Sequence, residues 1–137
     1  MDPDQSNNTL VLDTSAVLAV ALAEPGKARI LEATSGSLLV CAESIDFEVG
    51  NALSSLFKSK KLELGKALES LAAYRKMIFT RHPVNLEAAV HLSHKLNIYA
   101  YDAYVLEVAI TFQSPIVTLD RRLANHARAL SVSVVEV

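Results

Sequence analysis

The chain has 137 residues, a formal net charge of -2, and 51% hydrophobic residues with few Gly and Pro. That is enough for one domain with a substantial core, and it argues against wholesale disorder and against a protein that coats nucleic acid by bulk charge. The single cysteine, Cys41, excludes an internal disulfide and fits a reducing compartment.

Residues 1–8, MDPDQSNN, are polar and read as a flexible tail ahead of one domain over 9–137. Thr9–Leu12 reads as a buried strand ending at Asp13. Asp13, Thr14 and Ser15 offer capping side chains for a helix from about Ala16. Within it, AVLAVALA falls short of the ~20 apolar residues of a membrane span. It also lacks a basic leader, so no signal peptide is expected and the default location is the cytoplasm.

Pro25 and Gly26 break that helix, and KARILEAT begins a second. Ser37–Cys41 is a strand, with Cys41 a buried structural thiol. Ser44 to Lys58 has helical spacing, its stripe formed by Phe47, Leu53 and Leu56 with Val49 and Ala52. LELGKALESLAAYRKM is a helix with a charged outer face, and MIFT a strand. Asn85–Lys95 and Asp102–Phe112 are helices, the second strongly apolar. Pro115–Leu119 is a strand, Arg121–Leu130 a helix and VSVVEV a closing strand. Short apolar strands alternating with helices predict an α/β fold: a three-layer α/β/α sandwich with a mainly parallel central sheet. Ligands in such folds sit beyond the carboxyl ends of the strands.

Four of the fifteen acids stand apart from the solvated helix faces. Asp13 and Asp120 each end a strand, Asp102 begins an apolar helix, and Glu48 sits one turn into another. Each Asp alone is accounted for as a helix cap. Glu48 is not, since an acid between Phe47 and Val49 is costly to bury without a partner, and no cation lies at helical spacing from it. Asn51 shares its helix face. If the sheet is parallel, the four carboxylates share one edge. Like charges so gathered repel and their pKa values rise. A hard divalent cation, Mg²⁺ or Mn²⁺, relieves this and suits all-oxygen ligands. Such an ion activates water in phosphodiester cleavage. Thr14, Ser15 and Thr118 place hydroxyls beside two of the acids.

LVLDTSAVLAV, FEVGNAL and YAYDAYVLEVAITFQSPIVTLDRRLANHA resemble the successive signature segments of PIN-domain ribonucleases, nearest to the small VapC-type toxins of toxin–antitoxin pairs. The resemblance runs from about Thr9 to Val137. It implies a metal-dependent endoribonuclease that cleaves single-stranded or looped RNA by metal-activated water. By motif match, Asp13, Glu48, Asp102 and Asp120 take the family's catalytic, metal-binding positions. Ser15 and Thr118 match its accessory hydroxyls, and Asn51 the polar residue supporting the glutamate. Glu43, Asp46 and Glu107 are left outside the set. The resemblance further implies a homodimer and an antitoxin partner, which lays an apolar or helical segment over the early helices, near Leu56 and Phe57.

RNA requires local cations. Arg121 and Arg122 beside Asp120 are candidates for phosphate contact. Lys58, Lys60, Lys61 and Lys66 form a basic cluster that serves equally as a solvated surface. Tyr99 and Tyr101 flank Asp102 and are placed to stack on a base or to pack in the core. The alternatives are a structure-specific DNA nuclease of related fold and a non-catalytic metal-binding or interaction domain. A receiver domain is disfavoured, because DRRL rather than lysine follows the late strand. His91 and His94 lie three apart on a helix, but no Cys or nearby acid completes a transition-metal set.

Overall fold

The computed structural model describes residues 8–137. Residues 1–7 of the expected tail lie outside that range. Asn8 is tied down: its carbonyl accepts from the Leu38 amide at 2.8 Å.

Five strands form one parallel sheet: β1 (Thr9–Leu12), β2 (Leu38–Ala42), β3 (Thr80–His82), β4 (Ile116–Val117) and β5 (Val134–Val135), in the order β3-β2-β1-β4-β5. The connections carry seven helices: α1 (Thr14–Ala21), α2 (Lys27–Thr34), α3 (Ile45–Lys58), α4 (Leu64–Lys76), α5 (Leu86–Leu96), α6 (Ala100–Phe112) and α7 (Arg121–Ala129).

The central strand shows why the sheet has three layers. All four residues of β1 are buried, and successive side chains point to opposite faces. Leu10 and Leu12 pack with Ile30, Ile45, Val49 and Leu53 on the side of α1–α4. Val11 packs with Ala103, Leu106, Ala109, Leu123 and Ala127 on the side of α5–α7. Each fully buried Val, Leu or Ile contributes roughly 1.5–3 kcal/mol. Cys41 is buried and free, and burial pushes its thiol pKa up, as expected of a structural cysteine. Among the described residues, no helix is long and apolar enough to cross a membrane.

The strand expected at MIFT lies further along, at Thr80–His82. There it pairs with Val40–Ala42. Phe47 leaves the expected stripe of α3 and is 74% exposed. Ile45, Val49 and Leu53 form the buried ridge instead, and Phe47 is two residues from both Ile45 and Val49, roughly 200° round the helix. Helix α6 begins at Ala100 with Tyr99 as its N-cap, so Asp102 lies inside the first turn rather than capping it. An acid there is favoured by the helix dipole.

Strand order decides where the site falls. The chain steps from β1 through β2 to β3, then crosses to the other side of β1 as β4 and β5. The order therefore reverses between β1 and β4. That is the crevice where parallel α/β sheets bind ligands.

Candidate active site

Asp13 follows β1 and Asp120 follows β4, at the carboxyl ends of the two strands flanking the reversal. Glu48 comes from the first turn of α3 and Asp102 from the first turn of α6. All four line one cleft of about 370 Å³, together with Thr14, Ser15, Asn51 and Tyr101. The sequence expectation that these acids share one edge holds in the structure.

Asp13 is buried at 7% exposure and held on all sides. Its Oδ1 accepts from the Ala16 amide at 2.9 Å, which caps α1. The Ser15 hydroxyl donates to its Oδ1 at 2.7 Å and to its Oδ2 at 2.9 Å. The Thr118 hydroxyl donates to Oδ2 at 2.5 Å. Both hydroxyls are themselves oriented by the backbone. The Leu119 amide donates to Ser15 Oγ and the Asp120 amide to Thr118 Oγ1, each at 2.9 Å. With those lone pairs engaged, the hydroxyl protons turn toward Asp13. Burial nevertheless raises the Asp13 pKa to about 6, against the lowering effect of these bonds and with a further push from the Asp120 charge.

Glu48 is positioned by two hydroxyls. Thr14 Oγ1 donates to its Oε1 at 3.0 Å and Ser44 Oγ to its Oε2 at 2.6 Å. Burial raises its pKa, and the Asp102 charge adds to the rise. Burial also raises the pKa of Asp102, reinforced by Asp120 and opposed by Arg122 and His126. Asp120 caps α7: its Oδ1 accepts from the amides of Arg122 at 2.9 Å and Leu123 at 3.2 Å. Capping and cleft-lining therefore coincide in one residue.

The remaining candidates divide. Ser15 and Thr118 hold Asp13. Asn51 lines the cleft, but no hydrogen bond joins it to Glu48 among the described residues. Arg122 is near enough to act on Asp102. Arg121 is exposed and makes no hydrogen bond or ion pair with the acids among the described residues. Two contributors escaped the sequence reading. Ser44 stands four residues before Glu48, at helical contact spacing. His126 stands four residues after Arg122 on α7, and this spacing was a usable signal.

The three acids left outside the set are engaged elsewhere. Asp46 accepts from Arg81 Nε at 3.1 Å and Arg81 Nη2 at 2.8 Å, and from the Tyr74 hydroxyl. It clasps α3 to α4 and β3. Glu107 is buried and accepts from the Asn85 amide and the Thr111 hydroxyl. Glu43 accepts from the Val84 amide. His91 and His94 are exposed on α5.

Among the described residues no three His, Cys, Asp or Glu side chains already stand close enough to hold a metal ion. The donor chemistry still fits a hard cation. It comprises four oxygen acids in one cleft, three of them with pKa values raised by burial and each of these three further by a neighbouring acid within the set. Asp102 has no hydrogen-bond partner among the described residues, and Asp120 has none for Oδ2.

The fold and the site together define a three-layer α/β/α domain with an acidic cleft at its strand reversal. Residues 10–129 match the family model of the PIN domain. The chain belongs to the PIN-domain family. It is similar to a VapC ribonuclease of Mycobacterium bovis and to the ribonuclease VapC9 of Mycobacterium tuberculosis. Each is 31% identical over 120 residues, spanning 88% of this chain and 92% of the relative. The crystal structure of PAE2754 from Pyrobaculum aerophilum superposes with a TM-score of 0.64 at 19% identity, over 92% of this chain and 82% of that one, a likeness of fold.

Proposed function

We propose that the chain is a metal-dependent endoribonuclease and the toxin of a toxin–antitoxin pair. The observation that carries this reading is the convergence of Asp13, Glu48, Asp102 and Asp120 on one cleft at the strand reversal, in a chain similar to VapC ribonucleases along most of its length. Mg²⁺ or Mn²⁺ would be held by these four residues, with Asp102 and the free oxygen of Asp120 the most available donors. When bound, the cation supplies positive charge that acidifies water and offsets the phosphate's charge.

The chain's own residues do the rest. Thr14 and Ser44 fix the direction of Glu48. Ser15, Thr118 and the Ala16 amide hold Asp13 as a hydrogen-bond acceptor. With its pKa near 6, Asp13 releases its proton close to neutrality. Arg122 and Arg121 offer cations to the RNA backbone on the α7 side, and the exposed Lys58, Lys60 and Lys61 extend the basic surface at the end of α3.

An antitoxin partner is in keeping with the exposed apolar side chains Phe57, Leu64 and Leu68 around the α3–α4 junction. A homodimer in the cytoplasm remains part of the same reading.

The experiment is incubation with Mg²⁺ or Mn²⁺ and separate RNA and DNA panels, using the wild-type chain and Asp120→Asn. Asparagine caps helices as well as aspartate, so the variant keeps α7 while losing the charge. RNA cleavage that falls by about 100-fold or more in the variant supports the reading. Cleavage of DNA alone, or equal RNA cleavage by both proteins, overturns it.

A further inference from the structure

A second groove, of about 430 Å³, adjoins the acid cleft and is lined by Phe47, Val84, Leu86, Tyr101 and Tyr104, with Glu43 and Ser44 at its edge. Three observations give it a role. It is continuous with the cleft: Tyr101 lines both, and Ser44 also donates to Glu48 Oε2. It displays apolar surface that the core does not use, with Phe47 at 74%, Leu86 at 59% and Tyr101 at 40% exposure. Isolated apolar residues at a surface are ordinary, whereas a contiguous group beside a cleft marks a binding site. Its aromatic rings are organised, Tyr101 meeting Tyr104 edge to face at 5.9 Å.

We infer that this groove takes the unpaired base of the RNA nucleotide next to the scissile phosphate. The inference rests on the ribonuclease reading above and specifies where that substrate lies. No Lys or Arg lines the groove, so it does not suit a phosphate. It suits a flat, neutral π-face, which in an RNA substrate an unstacked base presents. A phosphate bound at the acid cleft, where a cation held by the acids would offset its charge, has its neighbouring base on the side of Tyr101, the residue common to both spaces. The volume matches a small-molecule pocket, which admits one ring system rather than a packed helix. Glu43 spends one oxygen on the Val84 amide at 3.2 Å. Its other oxygen leaves an acceptor at the rim for a base carrying an amino group, as cytosine does.

The test uses the full chain, Phe47→Ala and Phe47→Trp, with a short single-stranded RNA and the same RNA made abasic at each nucleotide flanking the mapped cleavage position. Phe47 is exposed, so neither substitution disturbs the core. On intact RNA, Phe47→Ala is expected to raise KM about tenfold, with kcat within about twofold, and Phe47→Trp to restore it. One abasic position should weaken the wild type by about the same factor and leave Phe47→Ala unaffected. Identical kinetics for wild type and Phe47→Ala on intact RNA overturn the base site while leaving the nuclease reading in place. A change of oligomeric state in Phe47→Ala on a sizing column, with RNA kinetics unaltered, assigns the groove to a second copy of the chain and overturns it too. Failure of all three proteins to cleave any RNA removes the nuclease reading and the groove's role with it.

Discussion

Thr118 donates its hydroxyl proton to Asp13 Oδ2 at 2.5 Å across 105 residues of sequence. The bond joins the ends of β1 and β4. The same hydroxyl accepts from the Asp120 amide, so one side chain sets the positions of two acids.

Thr118→Val removes that donor and keeps the shape. A hydrogen bond to a charged group contributes about 1.5–3 kcal/mol, so the Asp13 pKa should rise by about one unit or more. The acid limb of the pH–rate profile for cleavage should move upward accordingly, and Thr118→Ser should restore it. An unmoved limb means that Asp13 does not control the rate.

Asp13→Asn is expected to stabilise the fold at pH 7.5. The sign follows from linkage. The folded pKa is raised from 3.8 to about 6, so between these values the native state binds more protons than the unfolded state. Wild-type stability therefore falls as pH rises through about 4 to 6 and is flat above. Removing the buried charge should recover up to about 3 kcal/mol at pH 7.5, and little at pH 4. Urea unfolding in EDTA at both pH values measures this. Equal destabilisation at both would show that the charge is not under strain from burial.

Divalent cations should raise the unfolding midpoint of the wild type, by about 2.7 kcal/mol when Mn²⁺ is in hundredfold excess over its Kd. Asp102→Asn should lose most of the effect. The half-saturating Mn²⁺ concentration should increase as pH falls below the Asp13 pKa of about 6, because protons compete for the ligand. A pH-independent response to Mn²⁺, retained in Asp102→Asn, would place the ion elsewhere.

Asp46→Ala separates structure from chemistry. The Arg81 guanidinium holds the Asp46 carboxyl below its ordinary pKa, in a two-point ion pair at the surface. Such a pair is worth about 1 kcal/mol or less. Thermal unfolding should shift by that amount while cleavage rates stay at the wild-type level. A large loss of cleavage would bring Asp46 into the site.

Element order and the four acids that line the cleft were legible because their signals are local. Apolar runs such as TLVL and the capping patterns after Asp13 and Asp120 depend on residues a few positions apart. The start of α6 at Ala100, ahead of Asp102, was less legible, because Tyr99 caps it by backbone geometry without a side-chain bond. The outward turn of Phe47 was missed because a helix stripe is set by which ridge meets the sheet. Ile45, Val49 and Leu53 won that position.

The sequence by itself determined an alternating α/β chain, with acids and hydroxyls where strands end and helices begin. The tertiary structure alone decided that β4 lies against β1. Only that pairing puts Thr118 within reach of Asp13 and opens a cleft between their two strands. Only packing brings Thr14 to Glu48 across 34 residues, and Tyr101 to the junction of two grooves. Strand order and side-chain approach arise from contacts between distant segments, and no spacing along the chain records them.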